Sequence, residues 1–158
     1  MLFRSTFDTD DKILVIYNDG NYEVTDQELT QKLDPEKLIF IEKFDPEKII
    51  TAVYADMARK QYMVKRFRVE TTTLKTPFLF IKEGDGNYLE TVTTMAEPVL
   101  AMQQGRGAQT RKAKLKIVKI AEVTNYRTVG SNLADYSKST EMEWVKGKSE
   151  NTNQTELF

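Results

Sequence analysis

The 158 residues include no histidine and no cysteine. The commonest general base, the commonest nitrogen ligand for zinc or copper, and every thiolate nucleophile or sulfur ligand are therefore missing. Disulfides go with them, and with them the main argument for an oxidising compartment. The 24 carboxylates are scattered through turns and strand-like segments, and no pair stands in a context that connects to a reaction. They read as solvated surface charge. The bases are distributed differently. From Met57 to Val69 the chain carries Arg59, Lys60, Lys65, Arg66 and Arg68 without an acid, and from Pro98 to Ala121 it carries Arg106, Arg111, Lys112, Lys114, Lys116 and Lys119, again without one. That pattern suits holding a polyanion better than making or breaking bonds.

The formal net charge of −1 hides this division. Residues 1–50 hold 12 acids and 6 bases, whereas residues 51–121 hold 6 acids and 13 bases. If a strand begins at Lys112, then Lys112, Lys114 and Lys116 share one face, with Ala113, Leu115 and Ile117 on the other. Cations at alternate positions lie roughly 6.5–7 Å apart, a spacing that can follow a phosphate backbone. The competing reading is a solvated strand face. Just upstream, Gln103-Gln104-Gly105-Arg106-Gly107-Ala108 sets an arginine between glycines. Glycines let the backbone approach a ligand closely, and neighbouring amides can bond phosphate oxygens, although a plain tight turn has the same pattern.

The elements that must position these residues are strands. Lys12 to Tyr17, Asn18-Asp19-Gly20 and Asn21 to Thr25 read as strand, turn and strand, and the continuous apolar run from Ile13 predicts burial on both faces. Asp34-Pro35-Glu36-Lys37 and Asp45-Pro46-Glu47-Lys48 each precede an apolar run, 11 residues apart, which is the spacing of a meander. A strand over 62–69 is expected to pair with 49–54, and residues 78–81 and 88–92 flank Gly84-Asp85-Gly86-Asn87 as a further hairpin. Only Asp26 to Leu33 looks briefly helical. Residues 113–122 have helical propensity, but their alternation favours a strand. The expectation is an all-β fold of at least seven strands, with Ile13, Val15, Phe40, Val53, Phe67 and Phe80 in its core. With no run of about 18 apolar residues and no basic-then-apolar leader, the chain is expected to be cytoplasmic and to have no membrane partner.

The Gln103 to Ala108 segment resembles the gyrase box of the C-terminal domain of type IIA topoisomerase A subunits. Residues 11–20 and 62–67 are similar to that domain's blade strands. The likeness, over residues 11–145, is greatest to the A subunit of DNA topoisomerase IV of the Bacteroides type, with the A subunit of DNA gyrase as the related case. It implies a β-pinwheel of propeller-like blades, possessing a basic rim that binds and bends double-stranded DNA. A full box has consecutive glycines between basic residues, whereas Arg106 splits Gly105 from Gly107 here. Residues 1–10 are expected to be a linker, 11–145 the DNA-binding domain or an incomplete pinwheel of two to three blades, and 146–158 a flexible tail.

By this resemblance the chain has no catalytic residue and needs no cofactor. It is an accessory domain of an ATP-dependent type II topoisomerase that changes DNA topology, associated with the chromosome and meeting the B subunit through its parent enzyme. The implied DNA contacts are Arg59, Lys60, Lys65, Arg66, Arg68, Arg106, Arg111, Lys112, Lys114 and Lys116, with Gln103, Gln104, Gly105, Arg106 and Gly107 forming the box-like turn. Gln154-Thr155-Glu156-Leu157-Phe158 is similar to the peptide that docks bacterial proteins on the replication sliding clamp, with Gln154, Leu157 and Phe158 as its anchors. The alternative is a β-rich protein-interaction module that binds no DNA. An enzyme acting alone is a third reading.

Overall fold

The apolar run near the start forms β1 (Lys12–Tyr17), reverses through residues 18–20 and pairs antiparallel with β2 (Asn21–Asp26), Val15 lying opposite Glu23. Ile13, Leu14, Val15 and Ile16 are all buried, as a strand covered on both faces requires. The computed structural model describes residues 12–26, 35–70, 73–74 and 76–145. Expectations for the linker 1–10, for a helix beyond Asp26, and for the tail with Gln154, Leu157 and Phe158 lie outside those residues.

The described residues form twelve strands in three sheets. In the first sheet, β3 (Leu38–Lys43) and β2 flank β1, and the short β6 (Phe78–Leu79) adds to β2. The second is built on β4 (Ile50–Asp56) and β5 (Gln61–Phe67), paired antiparallel with Val53 opposite Val64. There β7 (Tyr88–Thr93) joins β4, while β10 (Val123–Thr124) runs parallel to β5 and β11 (Ser131–Asp135) antiparallel to it. The third has the order β12-β8-β9, comprising β8 (Val99–Gln104), β9 (Arg111–Lys116) and β12 (Thr140–Val145).

Alternation along β4 and β5 explains how the sheets stack. Ile50, Ala52, Tyr54, Met63 and Phe67 point one way, into a core with Leu14, Ile16, Tyr22 and Val24 of the first sheet. Val53, Ala55, Tyr62 and Val64 point the other way, against Leu100 and Met102 of the third. The second sheet is therefore the middle layer and is apolar on both faces. Tyr22 lies at the heart of the first core, 5.4 Å from the stacked Phe78 ring and 5.7 Å from the edge-on Tyr126 ring. Trp144 Nε1 donates to Thr91 Oγ1 at 2.8 Å, tying the third sheet to the second.

Two pairings differ from the sequence expectation. Residues 78–81 and 88–92 form no hairpin: β6 pairs with β2 and β7 with β4. Phe80 N–H donates to Gly20 O at 2.8 Å and Leu89 N–H to Asn18 O at 2.9 Å, so both ends of the connection from β6 in the first sheet to β7 in the second are fastened to the β1–β2 turn. The paired Asp-Pro turns do not make a meander either, because β3 belongs to the first sheet and β4 to the second. In both cases a turn signal fixes where the chain reverses, and packing then chooses the partner. Residues 113–122 begin as strand, as alternation favoured, but the strand stops at Lys116 and a 3₁₀ turn follows over Ile117–Lys119. Of the expected core residues, Phe40 is only partly buried, packing against the first core, and the other five are buried.

Candidate nucleic-acid interface

The first basic stretch does not form one surface. Arg59 and Lys60 sit in the exposed turn joining β4 to β5, where Lys60 adopts φ +54° and its carbonyl accepts from Tyr136 N–H at 2.9 Å. Arg59 Nη2 donates to Asn132 Oδ1 at 3.2 Å, and the Lys60 ammonium lies 5.8 Å from the Tyr136 ring centre. Both head groups stay at the surface. At the far end of β5, about 20 Å away by the ~3.3 Å rise of a strand, exposed Arg68 donates through Nε to Glu47 O at 3.2 Å.

Lys65 and Arg66 lie between these ends, and here the sequence expectation needs correcting. The middle sheet has a core on each face, so every side chain near the centre of β5 is enclosed. Lys65 is 1% exposed, and its ammonium donates to the carbonyls of Phe80, Tyr126 (2.6 Å) and Thr128 (2.6 Å). Burial pushes its pKa down to about 8. Arg66, on the opposite face, is also buried; Nε donates to Thr51 Oγ1 at 3.2 Å and Nη2 to Ala96 O at 3.4 Å. Burial, and then the charge of Arg68, lower its pKa. Neither group presents its charge to a ligand on the surface.

The second stretch stays outside. In β9, an edge strand of the third sheet, Arg111, Lys112, Lys114 and Lys116 are all exposed. Lys112 lies opposite Gln103, Lys114 opposite Ala101 and Lys116 opposite Val99, so the three lysines share the outer face. Ala113 and Leu115 point the other way, and Ile117 is buried just beyond the strand. Arg111 opens β9 opposite Gln104, on the face that Ala113 uses.

The box-like turn connects β8 to β9. Gly105 has φ +97°, and a Cβ there would lie 2.6 Å from Gln109 O, so a side chain is excluded on both counts. Gly107 has φ +54° but open space around it. Between them Arg106 is exposed, held only through Nε, which donates to Ser139 Oγ at 3.0 Å. Gln103 and Gln104 are half-buried at the end of β8, and Gln104 Nε2 donates to Asp135 O at 2.8 Å.

Residues 135–139 bring the two stretches to the same end of the molecule. Tyr136 N–H holds the Arg59–Lys60 turn, Tyr62 Oη donates to Ser137 O at 3.0 Å, and Gly105 N–H donates to Ser139 O at 3.0 Å. Arg59 and Lys60 thereby join Arg106, Arg111 and the start of the β9 lysine row, whereas Arg68 stands apart. Lys138, exposed and lining the hollow beside Arg106, belongs with this group and escaped the sequence reading. Its one signal was a lone base in a polar turn. The whole arrangement gathers exposed cations in turns and along the β9 edge, suited to phosphate contacts. Among the described residues no group of three or more Asp or Glu is placed to hold a metal, and no helix is long and apolar enough to cross a membrane.

A family model described as the topoisomerase C-terminal domain of Bacteroidota matches residues 3–143. The crystal structure of the C-terminal domain of DNA topoisomerase IV is similar to this chain, with a TM-score of 0.62 at 14% identity over 90% of this chain and 49% of that one. The chain thus spans about half the length of the structure it resembles. No curated protein matches. At that identity the likeness establishes the fold, and the three stacked sheets are blades of a β-pinwheel. The chain belongs to the topoisomerase C-terminal domain family of Bacteroidota, the C-terminal domain of type IIA topoisomerase A subunits.

Proposed function

We propose that this accessory domain binds and bends duplex DNA, contacting phosphates through Arg106, Arg111, Lys112, Lys114 and Lys116 with Arg59 and Lys60 beside them. The observation that carries the reading is the junction made by residues 135–139, which sets the β4–β5 turn and the box-like turn at one end of the fold. Among the described residues no α-helix is available to enter a major groove, so the contacts position DNA without reading its sequence. The domain's part in the reaction is to hold a DNA segment for the cleavage core of an ATP-dependent parent enzyme that includes a B subunit. Strand cutting belongs elsewhere in that enzyme. A cytoplasmic, chromosome-associated setting accords with this role, and docking of Gln154, Leu157 and Phe158 on the sliding clamp would bring the domain to replicating DNA.

Charge reversal tests the surface. The triple variant Arg111→Glu/Lys112→Glu/Lys114→Glu is expected to bind duplex DNA at least about tenfold more weakly at ~0.1 M salt. Arg68→Glu should have a much smaller effect. Wild-type affinity in the triple variant would mean that the domain's ligand, DNA or protein, is held elsewhere.

A further inference from the structure

The outer face of the third sheet carries opposite charges on its two margins. The register sets Lys112, Gln103 and Glu141 in one row across β9, β8 and β12, and Lys114, Ala101 and Glu143 in the next. All four charged residues are exposed, and no hydrogen bond or ion pair joins one margin to the other. Two strand spacings of ~4.8 Å separate the lysines from the glutamates by about 9.6 Å. That is too far for direct pairing, yet it is close to the Debye length of ~8–10 Å at ordinary salt. The column between them is made of Val99, Ala101 and Gln103, none of which bears a charge.

From these rows we infer that Glu141 and Glu143 fix the path of the bound duplex, acting as a negative margin that keeps phosphates on the β9 edge and off the sheet face. The inference rests on the DNA-binding reading above. A duplex laid flat on this face would bring phosphates over β12 as well as β9, because the two margins, about 9.6 Å apart, are closer together than the ~12 Å width of a major groove. Repulsion at β12 leaves the β9 edge, where the lysine row runs toward the Gly105–Gly107 turn and Arg111 stands on the strand's other face. The margin gives up affinity and gains a defined track, as expected where like charges exclude wrong poses.

The test compares two variants of equal net charge. Glu141→Gln/Glu143→Gln removes the margin, whereas Glu23→Gln/Glu47→Gln removes two acids on the β2 strand and the β3–β4 turn, away from the third sheet. With a short duplex of random sequence at ~0.05 M salt, the first should bind about three- to tenfold more tightly than wild type, and the gain should fade near ~0.5 M salt. Its hydroxyl-radical footprint on a longer duplex should widen. The second should stay within about twofold of wild type. Equal gains in both variants would show that net charge alone is sensed and would overturn the margin, as would an unchanged footprint. Wild-type protein with no salt-dependent duplex binding would overturn the DNA reading itself and this inference with it.

Discussion

Gly105 N–H donates to the carbonyl of Ser139 at 3.0 Å, and this bond fastens the box-like turn to the segment that also holds Lys60. Its geometry depends on Gly105 having no Cβ, since one would lie 2.6 Å from Gln109 O at φ +97°. Gly105→Ala should therefore destabilise the fold by about 1–3 kcal/mol and weaken DNA binding. Gly107→Ala, with φ +54° and open space, should cost about 1 kcal/mol. Urea denaturation of the two variants measures the difference, and equal losses would contradict it.

Arg106 makes one side-chain hydrogen bond from an exposed turn. Arg106→Ala should change stability by no more than about 0.5 kcal/mol, because few packing contacts are lost. Bending, followed by ring closure of short duplexes, should fall clearly. Equal cyclisation rates for variant and wild type would demote the turn to a structural loop.

Lys65 has a role apart from DNA. Lys65→Met leaves the carbonyls of Phe80, Tyr126 and Thr128 without their shared donor, and should cost about 2–4 kcal/mol. The dependence of DNA affinity on salt should be unchanged in the protein that remains folded. A flatter dependence would mean that Lys65 reaches phosphate after all.

The same lysine predicts how stability varies with alkali. Its pKa is lowered by burial to about 8, from 10.5 in the open chain, so between those values the unfolded state holds a proton that the folded state has released. Stability gained from this group therefore rises as pH climbs through that window. Burial raises the pKa of Tyr54 from 10.0 to about 12 and lifts Tyr22 and Tyr88 as well, so these groups reverse the trend above pH 10. The stability of wild type minus that of Lys65→Met, measured by denaturant from pH 8 to 10, should increase. A flat or falling difference would contradict the assignment.

How far the sequence disclosed this depends on the range of each interaction. The continuous apolar run of β1 and the alternation from Lys112 to Lys116 were legible because a strand's period is local. Lys65 and Arg66 have the sequence pattern of surface charge because alternation cannot reveal that both faces of β5 are covered; that depends on a first sheet built from residues 12–26, 38–43 and 78–79 and a third built from 99–104, 111–116 and 140–145. The partners of β6 and β7 were hidden for a similar reason. The junction at 135–139 joins Lys60 to Tyr136 and Gly105 to Ser139, contacts that no local pattern encodes.

The salt dependence of duplex affinity tests the central claim most directly. If about six of the exposed bases contact phosphates, the slope of log affinity against log salt should approach roughly −5, since each neutralised phosphate contributes about −0.9. A slope between 0 and about −1 would contradict the account, because contact with at most one phosphate cannot hold a duplex along the β9 edge.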